Sequence, residues 1–337
     1  MSILSEIKLG ERHQFADAVR QVAWSPSGKL LALTADGMLF GLKDYPVGPV
    51  ASDPVDVCWL SRNQVVVVDG VAGAAVIGMD SFDCLPVPGP ISAQSTEAQT
   101  DEVESDDGYC VLAGAGGFSV LRRGELYAIE NSTIPTGALR AAVHLGGSAW
   151  LGAGVNGLVV VDVDRMCVSD RLEMPSVVSI AAAAGTRRIA AADSTGSIHV
   201  RHLSDLKGGF ELTGYPDAIR HLGMSPVGDF VVAGSDDELS WWHIDDEGVI
   251  SGAPECSIGH HTPITCCDVG ATGFVATGDA DGLVRLWSPD LRDIPVSSMH
   301  LDSEVTVLRW SVDGERLAMG TTTGGLVIAD LVSGKLV

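Results

Sequence analysis

Gly259-His260-His261-Thr262-Pro263-Ile264-Thr265-Cys266-Cys267-Asp268-Val269, then Gly273-Phe274-Val275-Ala276-Thr277-Gly278-Asp279-Ala280-Asp281-Gly282-Leu283-Val284-Arg285-Leu286-Trp287, is the stretch that decides the fold. It reads as strand, turn, strand, Asp-Gly turn, strand. Short runs rich in β-branched residues favour strands. Asp281-Gly282 suits a tight hairpin because both of its residues tolerate positive φ. The pattern recurs. Val19-Arg20-Gln21-Val22-Ala23-Trp24 precedes Ser25-Pro26-Ser27-Gly28, Ile219-Arg220-His221-Leu222-Gly223-Met224 precedes Ser225-Pro226-Val227-Gly228, and Val305-Thr306-Val307-Leu308-Arg309-Trp310 precedes Ser311-Val312-Asp313-Gly314.

The second hairpin turn can be followed along the whole chain. It falls near Asp36-Gly37, Ala72-Gly73, Gly116-Gly117, Asn156-Gly157, Thr195-Gly196, Asp237-Glu238, Asp281-Gly282 and Gly324-Gly325. Successive first positions are 36, 44, 40, 39, 42, 44 and 43 residues apart. A period of about 40–45 residues with four short strands is that of a propeller blade. The expected fold is therefore all-β: one closed β-propeller over residues 1–337, with eight four-stranded blades. Seven full blades and an irregular one are the alternative. The third unit is the weakest, because its first strand should fall near residues 95–103, where the chain is polar and acidic. Either that strand begins earlier, or residues 93–107 form an acidic loop insertion. A ring must also join its first and last blades or leave exposed edges. Residues 3–9 are placed to supply the outer strand of the last blade.

The seventh unit resembles the WD-repeat family. It carries Gly259-His260, Thr277 on its second strand, Asp281 in the tight turn and Trp287 closing its third strand. In that family a His, Ser/Thr, Asp and Trp set forms a hydrogen-bonded network inside a blade. The resemblance thus implies structural roles for His260, Thr277, Asp281 and Trp287. Most other units lack both the Gly-His pair and the closing Trp. His243 stands at the Trp position in the sixth unit and Asp162 in the fourth.

Composition narrows the partners. Apolar residues make up 46% of the chain, enough for a large core, and 40 glycines point to many tight turns. The net charge of −23 argues against nucleic acid, whose phosphates select Lys and Arg, and against anionic membrane surfaces. It favours solubility, a basic protein partner or a cation. Seven cysteines, at 58, 84, 110, 167, 256, 266 and 267, form no disulfide-like framework and fit a reducing compartment. With no secretory leader pattern and no apolar run of about 18 residues, a cytoplasmic protein is expected.

Four features are candidate sites. Cys256, His260, His261, Cys266 and Cys267 are metal-like residue types, but their spacing matches no standard zinc motif. His260 already has a structural role by resemblance. Cys266 and Cys267 are neighbours on a strand and point to opposite faces. Cys256 and His261 are what remains, and neither a metal nor a cofactor is expected. Alignment of the first strands places Arg20, Arg140 and Arg220 at one equivalent position, with Asp56, Val178, Thr265 and Thr306 there in other units. Because first strands are innermost, these side chains would ring a channel mouth. Arginine suits carboxylate and phosphate, so they would either anchor an acidic segment or a small anion, or pair with blade carboxylates; Arg20, Arg140, Arg220 and Asp56 are the candidate partner-binding residues. Trp241-Trp242-His243 is either an interface anchor or packing between blades. The acidic stretch 97–107 either recruits a basic partner or is solvated.

Catalytic signatures are missing: no Gly-x-Ser-x-Gly elbow, no phosphate loop, no His-Glu-x-x-His. The sequence supports a non-enzymatic, monomeric scaffold that binds a protein partner on the face where the first strands begin. A propeller sensing a small anion or a metal is the alternative.

Overall fold

In the computed structural model every regular element among the described residues is a strand. The structure describes residues 3–334 apart from 42, 79–80, 86–90, 96–108, 134–138, 246, 251 and 289–293. No helix among the described residues is long and apolar enough to cross a membrane. Eight antiparallel sheets succeed one another, seven of them built from consecutive strands running from the channel outwards and the eighth completed by the first strand of the chain. Blade 7, for example, runs Ile264–Val269, Val275–Asp279, Leu283–Trp287 and Ser297–His300. The chain is an eight-bladed β-propeller.

Eight apolar clusters hold the ring, one between each pair of neighbouring blades. Alternation along each strand explains this. Side chains on one face of a blade meet the previous blade and those on the other face meet the next. Cys266 packs towards blade 8 and Cys267 towards blade 6.

The turn between second and third strands has a glycine at positive φ in seven blades: Gly37, Gly73, Gly117, Gly157, Gly196, Gly282 and Gly324. In blade 6, Asp236 takes that conformation at φ 52°. The last of these turns is Thr323-Gly324, one residue before the pair expected from the sequence. At Gly282 a Cβ would also sit 2.6 Å from the Ser303 carbonyl oxygen, so the position excludes any side chain twice over.

Closure comes from the N-terminus. Ile3–Gln14 pairs antiparallel with Gly325–Gly334, from Ile3↔Gly334 to Gln14↔Gly325, and completes blade 8. The strand extends five residues past the expected end at residue 9.

Two expectations need correction. Blade 1 has three strands rather than four: Val19–Trp24, Leu30–Thr34 and the two-residue Leu39–Phe40. Gly41 turns the chain at φ 94°, and Pro46 and Pro49 remove ladder donors, so a single Leu39↔Val47 bridge stands where an outer strand would run. In blade 3 the inner strand is Ile91–Ser95. The third unit's strand therefore begins earlier, and residues 93–95 of the proposed insertion belong to it. Residues 96–107 lie outside the described set.

Candidate interaction face

The blade 7 network is a directed chain of bonds. Trp287 Nε1 is a donor only, and it reaches Thr277 Oγ1 at 2.8 Å. The Thr277 hydroxyl then donates to His260 Nε2 at 2.7 Å, which leaves Nδ1–H to donate to Asp279 Oδ2 at 2.8 Å. All four residues are buried. Burial pulls His260 below the ordinary histidine range, against the raising influence of Asp279, which fits a neutral ring. The carboxylate in this network is Asp279, not Asp281. Asp281 lies two residues on, exposed in the turn, and gives only its backbone N–H to Asp279 Oδ1 at 3.0 Å. Asp279 ends the second strand and faces inwards, whereas Asp281 sits at the hairpin tip.

Aspartate at the end of the second strand recurs, a signal that the Asp-Gly turn obscured. Asp193 in blade 5 holds His199 Nε2 at 2.9 Å, and its other oxygen takes the Thr195 and Ser197 backbone N–H groups. Asp69 in blade 2 accepts from Ser52 and Asp53 on one oxygen and from Val71 and Ala72 on the other. Burial would raise the Asp69 carboxyl, but those bonds outweigh it and hold the group well below the ordinary carboxylate range.

The arginine position has a distinct local structure. In blade 1 the pairing steps from Val19↔Thr34 to Gln21↔Leu33, so Arg20 is the extra residue of a β-bulge. The same skip occurs at Arg140, Val178, Thr265 and Thr306. A bulge leaves one residue unpaired and re-aims its side chain. In blades 7 and 8 the bulged threonines turn to the next blade: Thr265 Oγ1 donates to the Val305 carbonyl at 2.6 Å and Thr306 Oγ1 to the Val19 carbonyl at 2.5 Å. Arg20 is exposed, and so is Arg220, which precedes the inner strand His221–Met224 directly after buried Ile219. Among the described residues neither arginine takes part in a hydrogen bond or ion pair. The Arg140 side chain lies outside the described set.

Asp56 does not share this position. In blade 2 the skip falls between Pro54 and Asp56, so Val55 is the bulged residue and Asp56 aligns with Gln21 on the channel wall. The inner strand there begins with Pro54, one residue earlier than sequence alignment suggested. Burial pushes the half-buried Asp56 carboxyl up to about 7, with Arg309 acting in the opposite direction. Arg309 Nη1 lies 3.6 Å from Asp268 Oδ1. Burial raises Asp268 as well, against the lowering effects of Arg309 and of the Trp310 N–H, which donates to its Oδ2 at 2.8 Å.

Cys256, on the outer strand of blade 6, and His261, in the loop before blade 7, are both exposed. No group of three or more His, Cys, Asp or Glu among the described residues is arranged to hold a metal ion. Burial pushes the Cys266 thiol up to about 12 and Cys267 higher, so at neutral pH both stay protonated and poor metal ligands. Trp241 is buried edge-on to Phe230, with centroids 5.0 Å apart, while Trp242 turns the other way and donates to Tyr215 Oη at 3.0 Å. Both serve packing between blades. His243 adds a buried Nε2 that has no hydrogen-bond partner among the described residues.

Residues 252–288 match the family model described as WD domain, G-beta repeat. A comparison with curated proteins finds no match. Among solved structures the chain is similar to the Dos1 propeller, with a TM-score of 0.77 and 15% identity over 99% of this chain and 97% of that one. In all 1623 chains of solved structures match, so likeness of shape selects the fold and leaves function to the site. Propellers of the WD-repeat kind generally serve as protein-interaction scaffolds.

Proposed function

We propose that this propeller, with its WD repeat in blade 7, is a non-enzymatic scaffold that binds a protein partner on the face where the inner strands begin. One observation carries the reading. Arg20 and Arg220 occupy equivalent positions in blades 1 and 6 and stay exposed beside the channel mouth, where Thr265 and Thr306 in blades 7 and 8 turn to their neighbours. An arginine in that place presents five donors to a partner and contributes nothing visible to the ring. A carboxylate-bearing segment of a partner is the complementary chemistry. A cytoplasmic setting, a single-chain state and the absence of nucleic-acid or membrane binding belong to the same proposal and rest on the charge of −23 and the free cysteines.

The test is affinity capture of the tagged protein from its own host, beside the variant Arg20/Arg140/Arg220→Glu. A stoichiometric partner kept by the parent and lost by the variant, with an unchanged melting temperature, supports the reading. Equal capture by both moves the interface off this face. No partner at all turns attention to a small ligand.

A further inference from the structure

Cys58 lies on the inner strand of blade 2, Pro54–Ser61, and Cys110 on the second strand of blade 3, Tyr109–Gly114. They are far apart in sequence, yet their Sγ atoms lie 3.6 Å apart across the interface between the two blades. Both are free thiols, 5% and 0% exposed, inside the apolar cluster that joins these blades. The other two neighbouring cysteines, Cys266 and Cys267, are directed to opposite interfaces. A covalent S–S bond is about 2.05 Å long, so closing the present gap asks for roughly 1.5 Å of combined movement. Side-chain rotation and slight approach of two blades supply that without breaking a ladder.

We propose that Cys58 and Cys110 form an oxidation site at which a peroxide converts the two thiols to a disulfide joining blades 2 and 3. The first oxidation falls on Cys58. It retains slight exposure, whereas the hydrogen bond to Cys58, burial and nearby Asp56 hold the Cys110 thiol well above the ordinary range. The Cys58 sulfur attacks one peroxide oxygen and the O–O bond breaks. The departing hydroxide takes up the proton given up by the Cys58 thiol to become water, leaving Cys58 as a sulfenic acid. The Cys110 sulfur then attacks the Cys58 sulfur, the S–O bond breaks, and the hydroxyl leaves with the Cys110 proton as a second water. Two thiols and one hydrogen peroxide become one disulfide and two waters, with two electrons passing from sulfur to oxygen. The consequence is a covalent tie between the blade carrying Asp56 and blade 3.

The test uses the full chain carrying C84S, C167S and C256S. This removes the two exposed thiols and that of Cys84, whose side chain lies outside the described set, so that none of the three links separate molecules. The folded protein is treated with hydrogen peroxide, unfolded, alkylated and digested. The expected product is a Cys58–Cys110 linked peptide two mass units lighter than the free pair, lost on reduction. The melting temperature should rise by about 5 °C, as expected for closing a loop of this size in a large domain. C110S should give no linked peptide and should leave a sulfenic acid on Cys58 that dimedone traps. Recovery of both Cys58 and Cys110 fully alkylated overturns the proposal, as does a linked peptide that appears only when peroxide is added to unfolded chain.

Discussion

Blades 7, 8, 1 and 2 are tied to one another in a way that blades 4 and 5 are not. At the end of the inner strand, Trp310, Trp24 and Trp59 each send their indole N–H to the preceding blade, to the carbonyls of Asp268, Arg309 and Ala23 at 3.3, 3.0 and 3.1 Å. Blade 4 has His144 at that place, whose ring bonds instead to Gly147 of its own blade, and blade 5 has Ala182. At the bulge, Thr265 and Thr306 bond to the next blade, while blade 5 has Val178. Arg316 of blade 8 donates to the Gly28 carbonyl of blade 1 at 2.9 Å and lies over the Trp24 ring at 4.4 Å, but Arg188 of blade 5 makes the same kind of bond to the Gly228 carbonyl of blade 6 at 2.8 Å, so the contrast rests on the Trp and Thr bonds. The difference follows from chain connectivity. Blade 8 takes its outer strand from the other end of the sequence, so Ile3–Gln14 is held against Gly325–Gly334 without a connecting hairpin, and directional hydrogen bonds add to the packing between this blade and both neighbours. Around blades 4 and 5 the chain passes continuously from one blade to the next, and the Trp and Thr ties are missing among the described residues, while Arg188 still reaches the Gly228 and Asp245 carbonyls of blade 6 at 2.8 and 2.9 Å.

The largest effect should come from removing what closes the ring. Deleting residues 1–12 strips most of the outer strand from blade 8 and leaves Gly325–Gly334 as an open edge. A fall in melting temperature of about 10 °C or more, or aggregation, is expected by calorimetry and light scattering. An unchanged melting temperature would mean the seam is held by the tryptophan and threonine bonds alone. Next in size is the network inside blade 7. Thr277→Val removes the acceptor of Trp287 and the donor to His260 together, leaving two buried polar groups unsatisfied. The cost should be about 2–4 kcal/mol in denaturant unfolding. Asp279→Ala should be comparable, and Asp281→Ala should stay within about 0.5 kcal/mol because its side chain is exposed. Equal costs for the two aspartates would restore the turn residue to the network. Smaller still are the single ties: Trp24→Phe and Thr306→Val should each cost about 1 kcal/mol.

The repeat was legible because a blade imposes a regular spacing of glycine-bearing turns, and those turns need positive φ wherever packing varies. Closure was legible from the position of the first residues relative to the last strand. What escaped had local causes. Asp281 outranked Asp279 on paper because an Asp-Gly pair advertises a turn, whereas an aspartate closing a strand looks like any other strand residue. Asp56 was set one place wrong because a bulge inserts a residue without changing the apolar pattern, and Pro54 hid where the strand begins. Blade 1 lost its outer strand to Gly41 and two prolines, which spacing of the turns does not register. The Cys58–Cys110 pair was out of reach, since neighbours from two blades share no sequence spacing.

A pH dependence tests the channel wall of blade 2 against that of blades 7 and 8. Asp56 titrates near 7 in the folded chain, against an ordinary value of 3.8 when unfolded. Between pH 4 and 7 the folded state therefore keeps a proton that the unfolded state has lost, and stability falls as pH rises through this window, then levels off. Asp69 has the opposite sign: its contribution is complete above the ordinary carboxylate range and is lost only on further acidification. The two groups thus act in different windows. Asp56→Asn should flatten the decline between pH 4 and 7 while leaving the loss at lower pH intact. Arg309→Met should steepen it and carry it to higher pH, because Arg309 is the charge that holds Asp56 and Asp268 down. A slope unchanged in Asp56→Asn but removed in Asp268→Asn would assign the strained carboxyl to the stapled side of the ring, and chemical denaturation across pH 4–8 distinguishes the two.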